Sequence, residues 1–169
     1  MNLEQAIETA IEYETRVQGV YEGAAEQARD DVGRKVFAAL AEEEAGHVLY
    51  LEHRLDEVRR SGAATPEPLG TVVPSPEAIA AGIAQLERQV APHERGFELD
   101  LLRQALEAEI ATSEFYERMV AELGSEGEAL FGRFLEIEQG HQAIVQAEID
   151  AVSGMGFWFD FQEFNLEAG

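Results

Sequence analysis

The chain has 169 residues, 46% of them hydrophobic, enough for one domain with a full core. Its 34 acidic residues against 12 basic ones give a formal charge of −22, which disfavours nucleic acid and anionic membrane surfaces as partners. It has no cysteine, so disulfides, zinc knuckles, iron–sulfur clusters and thiol catalysis are excluded.

The N-terminus, from Met1 to Ala6, is acidic and lacks the basic start and apolar run of a signal peptide. No uninterrupted apolar segment reaches the ~18 residues of a membrane span, and a cytoplasmic protein is the default expectation. Residues 3–29 carry helical periodicity, with Leu3, Ile7, Ala10, Ile11, Glu14, Val17, Tyr21, Ala24 and Ala28 on one face. Asp30 to Gly33 forms the break, and Asp31 is the expected N-cap of a second helix reaching about Arg60. Gly62 is placed to close that helix.

Residues 61–76 hold four of the five prolines and read as a linker within a crossover over 61–94. Ser75 and Pro76 have the form of N-cap and first helical residue for a shorter helix over 77–90, broken again at Pro92 and His93. A third long helix is expected over about 95–123, along Leu102, Ala105, Leu106, Glu109, Thr112, Tyr116 and Met119. Gly124 ends it. Ser125 to Glu128 has the spacing of a capping box for a fourth helix, reaching about Val152 before Ser153 and Gly154. Two long helical hairpins joined by a long connection predict an all-α four-helix bundle with a crossover, over 1–152. Residues 153–169 form a tail with five of the 14 aromatic residues, expected to pack on the bundle or a partner.

The chain repeats itself. Residues 10–58 match 105–152 at an offset of 95, falling to 94 after the interhelix turn. The stretch from Phe37 to His47 recurs as Phe131 to His141, and each copy carries a Glu and a His three apart, Glu44 with His47 and Glu138 with His141. On a helix, positions three apart share a face, so each pair can offer a carboxylate and an imidazole to one point. The repeat also pairs Glu14 and Tyr21 with Glu109 and Tyr116, each Glu lying inside an apolar stripe where an unpaired carboxylate would cost several kcal/mol. At 1.5 Å per residue, antiparallel helices bring all four carboxylates to one height, roughly 21–24 Å from the turns. Four Glu and two His then form a site for two metal ions. The oxygen and nitrogen donors suit iron or manganese better than softer metals.

At these residues the sequence resembles the ferritin-like di-iron carboxylate family, most closely its rubrerythrin-like branch without a rubredoxin module. The resemblance covers about 3–60 and 95–152. It implies two iron ions per site, with manganese as the other choice, held by Glu14, Glu44, His47, Glu109, Glu138 and His141. Either Glu44 and Glu109 or Glu14 and Glu138 would partly bridge. It also implies reduction of peroxide or O₂ with Fe(II) as the electron source. Rubrerythrins carry a further Glu where this chain has Thr112, which makes a ferroxidase or iron-storage role more competitive. With no cysteine to build a rubredoxin centre, electrons need an external donor. A homodimer or larger homo-oligomer is expected, and the crossover would allow one hairpin to swap between protomers.

Tyr21 and Tyr116 are candidates for hydrogen bonding or redox roles beside the metals, with ordinary core tyrosines as the alternative. Gly46 and Gly140 precede the two histidines and suggest a close helix or subunit approach, unless they are simply inherited through duplication. Glu43 and Glu114 are expected at the rim, and His53 and His93 on the surface. A third reading is a metal-free helical scaffold acting through its aromatic tail.

Overall fold

The computed structural model describes residues 1–75, 77–81, 96–154, 158, 159 and 161. Four long helices, α1 (Leu3–Gln27), α2 (Asp31–Ser61), α3 (Gly96–Leu123) and α4 (Ser125–Gly154), make two hairpins, with no strand among the described residues. Contacts between the hairpins run mainly through α1 and α3. This is the all-α bundle expected from the periodicity.

Local chemistry sets the helix ends. Asn2 and Gln5 form a reciprocal capping box at the start of α1. Ala28 leaves the helical region at ψ 134°, so α1 stops two residues earlier than its periodicity suggests. The N-cap of α2 is Asp30 rather than Asp31, because Asp30 Oδ1 accepts from the backbone N–H groups of Val32 at 2.8 Å and Gly33 at 3.2 Å. Gly62, in the left-handed region at φ 80°, closes α2. A single residue, Gly124 at φ 59°, reverses the chain between α3 and α4, so Ser125 lies inside α4 instead of capping it. Helix α4 runs on through Ser153 to Gly154.

Two buried acid–base groups hold down the segments that follow the hairpins. Arg54 of α2, 2% exposed, donates to Thr65 O and lies 3.4 Å from the carboxylates of Glu57 and Glu67. Its repeat counterpart on α4, Glu148, accepts from the backbone N–H of Phe159 at 2.8 Å. The first fixes the crossover and the second fixes the tail. In the crossover Ser75 Oγ accepts from Ala78 N at 3.3 Å, and residues 77–81 are helical. Pro76, residues 82–90, Pro92 and His93 lie outside the described residues, as do Phe157 and Phe164 of the tail. Trp158, Phe159 and Phe161 are buried, and Trp158 meets the Phe37 ring edge-on at 5.2 Å.

The apolar core is divided. One part holds Val17, Tyr21, Phe37, Leu40, Leu102, Ala105, Ile144 and the tail aromatics. The other holds Ile7, Ala10, Leu51, Phe115, Tyr116, Leu130 and Phe134. On every helix the residues between the two parts are polar and buried: Glu14 on α1, Glu44 and His47 on α2, Glu109 on α3, Glu138 and His141 on α4. A polar layer crosses the middle of the bundle.

Gly46 and Gly140 do not mark a close approach among the described residues. A Cβ built on either meets no described residue within 4 Å. Since Gly costs a helix interior up to ~1 kcal/mol relative to Ala, Gly46→Ala and Gly140→Ala should each raise stability by about 0.5–1 kcal/mol. Urea unfolding curves would measure it. A loss of stability in either variant would mean that the surface around that glycine is covered in solution.

Candidate metal centre

Every residue of the polar layer reaches its place through helical spacing. Glu14 and Glu109 project inward from within the apolar stripes of α1 and α3, while Glu44 with His47 and Glu138 with His141 sit one turn apart on α2 and α4. All six are at most 1% exposed. Their donor atoms form two overlapping groups, each with atoms mutually within 4.8 Å: Glu14, Glu44, His47 and Glu138 in one, and Glu44, Glu109, Glu138 and His141 in the other.

Both imidazoles turn Nδ1 inward. Nδ1 of His47 lies 3.0 Å from Glu44 Oε2, 3.2 Å from Glu14 Oε2 and 3.5 Å from Glu138 Oε1. Nδ1 of His141 lies 2.7 Å from Glu44 Oε1, 3.5 Å from Glu109 Oε1 and 3.8 Å from Glu138 Oε2. Glu44 and Glu138 therefore reach both histidines, and Glu14 and Glu109 reach one each. Neither pairing anticipated from the resemblance has this arrangement. The shared carboxylates are the two from the Glu-x-x-His motifs, because α2 and α4 each carry a Glu and a His into the same layer.

The tyrosines cross between the halves. Tyr21 on α1 donates its hydroxyl to Glu109 on α3, and Tyr116 on α3 donates to Glu14 on α1. Burial, and then the charges of Glu109 and Glu14 respectively, push both phenols well above their ordinary range, so they remain protonated donors.

The electrostatics describe a cage short of positive charge. Burial, then the charge of Glu44, pushes the Glu14 carboxyl up to about 8 against a hydrogen bond from His47. Burial and the charges of Glu44, Glu14 and Glu109 push Glu138 well up. For His47 burial works downward, but hydrogen bonds to Glu14 and Glu44 outweigh it and carry the imidazole to about 10. His141 is raised in the same way, burial being outweighed by the charges of Glu44, Glu109 and Glu138. Glu44 is held far below the ordinary carboxylate range; burial opposes this, and the charge and hydrogen bond of His141 prevail. Protons occupy sites that cations would take.

Buried lone pairs test whether the residues fit such cations. Glu109 Oε2 and both oxygens of Glu138 are buried without a hydrogen-bond partner among the described residues. Unpartnered acceptors at this depth are costly, and divalent ions between the two histidines would satisfy them. Four carboxylates and two neutral imidazoles also balance two divalent charges. The residues fit a pair of metal ions.

Other candidates fall outside the cage. Thr112 is buried, but its hydroxyl donates to Ala108 O at 3.0 Å, so it serves its own helix. Glu114 and His53 are exposed, as expected of rim and surface positions. Glu43 is not at the rim. Its side chain is 6% exposed, Oε2 accepts from Val72 N at 3.2 Å, and Oε1 lies 3.5 Å from His141 Nε2. The crossover passes over Glu43 and turns it inward, leaving a cavity of about 430 Å³ lined by Ala39, Glu42, Glu43, Gly70, Thr71 and Val72. Glu spacing carries no sign of this, because the path of the crossover is not periodic.

A crossover-linked four-helix bundle with this carboxylate–histidine layer defines a ferritin-like protein of the di-iron carboxylate class. The Rubrerythrin family model matches residues 5–149, and the chain belongs to that family. No curated protein and no solved structure matches it. No helix among the described residues is long and apolar enough to cross a membrane.

Proposed function

We propose that this chain binds two iron ions through Glu14, Glu44, His47, Glu109, Glu138 and His141, and reduces peroxide or O₂. Manganese is the other cation the donor set suits. The observation that supports the reading is the pair of overlapping donor groups sharing Glu44 and Glu138 at the centre of a buried layer. Bound iron supplies the redox chemistry. The protein's own groups do the rest. Tyr21 and Tyr116 hold the two unshared carboxylates in place by hydrogen bonds from opposite halves. The apolar layers on either side keep bulk water from the centre. With no cysteine for a rubredoxin-type centre, electrons come from an external donor, and we propose a homodimer or larger homo-oligomer as the working unit.

Iron oxidation for storage is the second reading, favoured by Thr112, which leaves no extra carboxylate for a ligand exchange on α3. One experiment separates the readings. Protein purified without air is assayed for iron and manganese, then given peroxide and a reductant. Two irons per chain, matching the two donor groups, with sustained peroxide turnover support the oxidoreductase. Iron accumulating far beyond the cage, with turnover that stops once Fe(II) is spent, supports storage. Less than about one iron or manganese per chain overturns the metal reading and leaves a helical scaffold.

A further inference from the structure

The two halves of the cage match in their carboxylates, imidazoles and tyrosines, and differ beside one histidine. The offset of 94 that equates Glu44 with Glu138 and His47 with His141 also equates Glu43 with Ile137. Nδ1 of each histidine faces the carboxylates, so Nε2 points away from the centre. At His141 that atom lies 3.5 Å from Glu43 Oε1, and both atoms are buried with no hydrogen-bond partner. A small rotation of the ring would close the pair. Val72 N–H, bonded to the other oxygen of Glu43, holds the carboxylate in front of the ring.

His47 has no such support among the described residues. Its Nε2 is also buried and without a hydrogen-bond partner, and its ring stands edge-on to Phe134 at 5.4 Å. Ile137, at the position equivalent to Glu43, is 2% exposed and offers no polar atom. The difference follows from the path of the chain: the crossover also meets α4, where Arg133 donates to Leu69 O at 3.0 Å, but its Val72 N–H bonds the Glu43 carboxylate on α2. A carboxylate behind a ligating imidazole fixes the tautomer that leaves the other nitrogen free and raises its basicity, and losing it costs about 10–100-fold in metal affinity.

We propose that Glu43 makes the two cation positions unequal: the position of Glu44, Glu109, Glu138 and His141 fills before that of Glu14, Glu44, Glu138 and His47. The inference rests on the two-cation reading given above. Glu43 is a positioning residue, acting through His141. The shared carboxylates serve both positions, and the tyrosines support Glu14 and Glu109 alike, so neither cancels the difference.

The test loads metal-free protein with one Co(II) per chain and measures the occupancy of each position by anomalous scattering at the cobalt edge. The expected result is roughly tenfold or greater preference for the His141 side. E43L should bring the two positions to within about twofold. E43Q keeps the shape but has one acceptor oxygen for both Val72 and His141, and should narrow the preference. Circular dichroism of both variants confirms that the bundle is folded. Equal occupancy in the parent, or a preference that neither variant changes, overturns the proposal and leaves the two-cation reading standing. Absence of cobalt from both positions at saturating Co(II) overturns that reading as well.

Discussion

Glu138→Ala is expected to strip both metal ions from the protein and leave a folded bundle. Glu138 lies within 3.5 Å of His47 Nδ1 and 3.8 Å of His141 Nδ1, so its removal opens both donor groups at once. A cation at a hundredfold excess over its Kd stabilises the folded state by about 2.7 kcal/mol, and that increment should vanish in the variant. The metal-free comparison has a different sign. In the absence of cations Glu138 is a buried carboxyl pushed up by burial and by Glu44, Glu14 and Glu109, so its loss relieves repulsion while leaving a small cavity. The metal-free variant should therefore unfold cooperatively, within about 2 kcal/mol of metal-free parent. Metal counts and urea unfolding with and without chelator provide the check. A variant that fails to fold, beside a parent indifferent to chelator, would show that Glu138 is structural.

Trp158→Ala should give the largest loss of stability outside the cage, about 3–5 kcal/mol for truncation of a buried Trp. Trp158 is 5% exposed and packs edge-on to Phe37, itself 6.3 Å from the Tyr21 ring. Its indole also lies over Gly33, where an added Cβ would come within 2.5 Å of the ring. A side chain at position 33 would drive the tail off α2, so Gly33→Ala should lose stability through the same contact. Both variants should still bind metal in the parent's proportion at temperatures where they are folded, since neither residue touches the polar layer. Denaturant midpoints and metal analysis on the same samples test this. An unchanged midpoint for Trp158→Ala would mean the tail does not pack on the bundle in solution.

The two effects arise from different physics. The cage is costly to bury and, on the two-cation reading, is stabilised by what it binds. The tail contributes apolar contact whether or not metal is present. A chelator should accordingly lower the stability of the parent and of Trp158→Ala by similar amounts, because the sites share no partner.

Much of this protein is legible in its sequence, because helical structure is local. A 3.6-residue period with Gly62 and Gly124 at its breaks is enough to place four helices, and the internal repeat is enough to pick six residues out of 28 Glu and four His. Burial of Glu14 and Glu109 is written in the apolar neighbours on their own faces. The helix ends were less legible. Asp30 and Asp31 are both competent caps, and the choice depends on backbone direction at the turn.

Tertiary structure alone decided the relations between helices. That Glu44 and Glu138 are the shared pair, and that each tyrosine serves the carboxylate of the opposite half, depends on distances across the bundle, which no spacing along one helix encodes. The position of Glu43 depends on where an irregular crossover lies. The sequence by itself determined which residues share a height in the bundle, since rise per residue is fixed. Only the packing of four helices and one crossover decided which of them meet, and that the two halves of a repeated site are not the same.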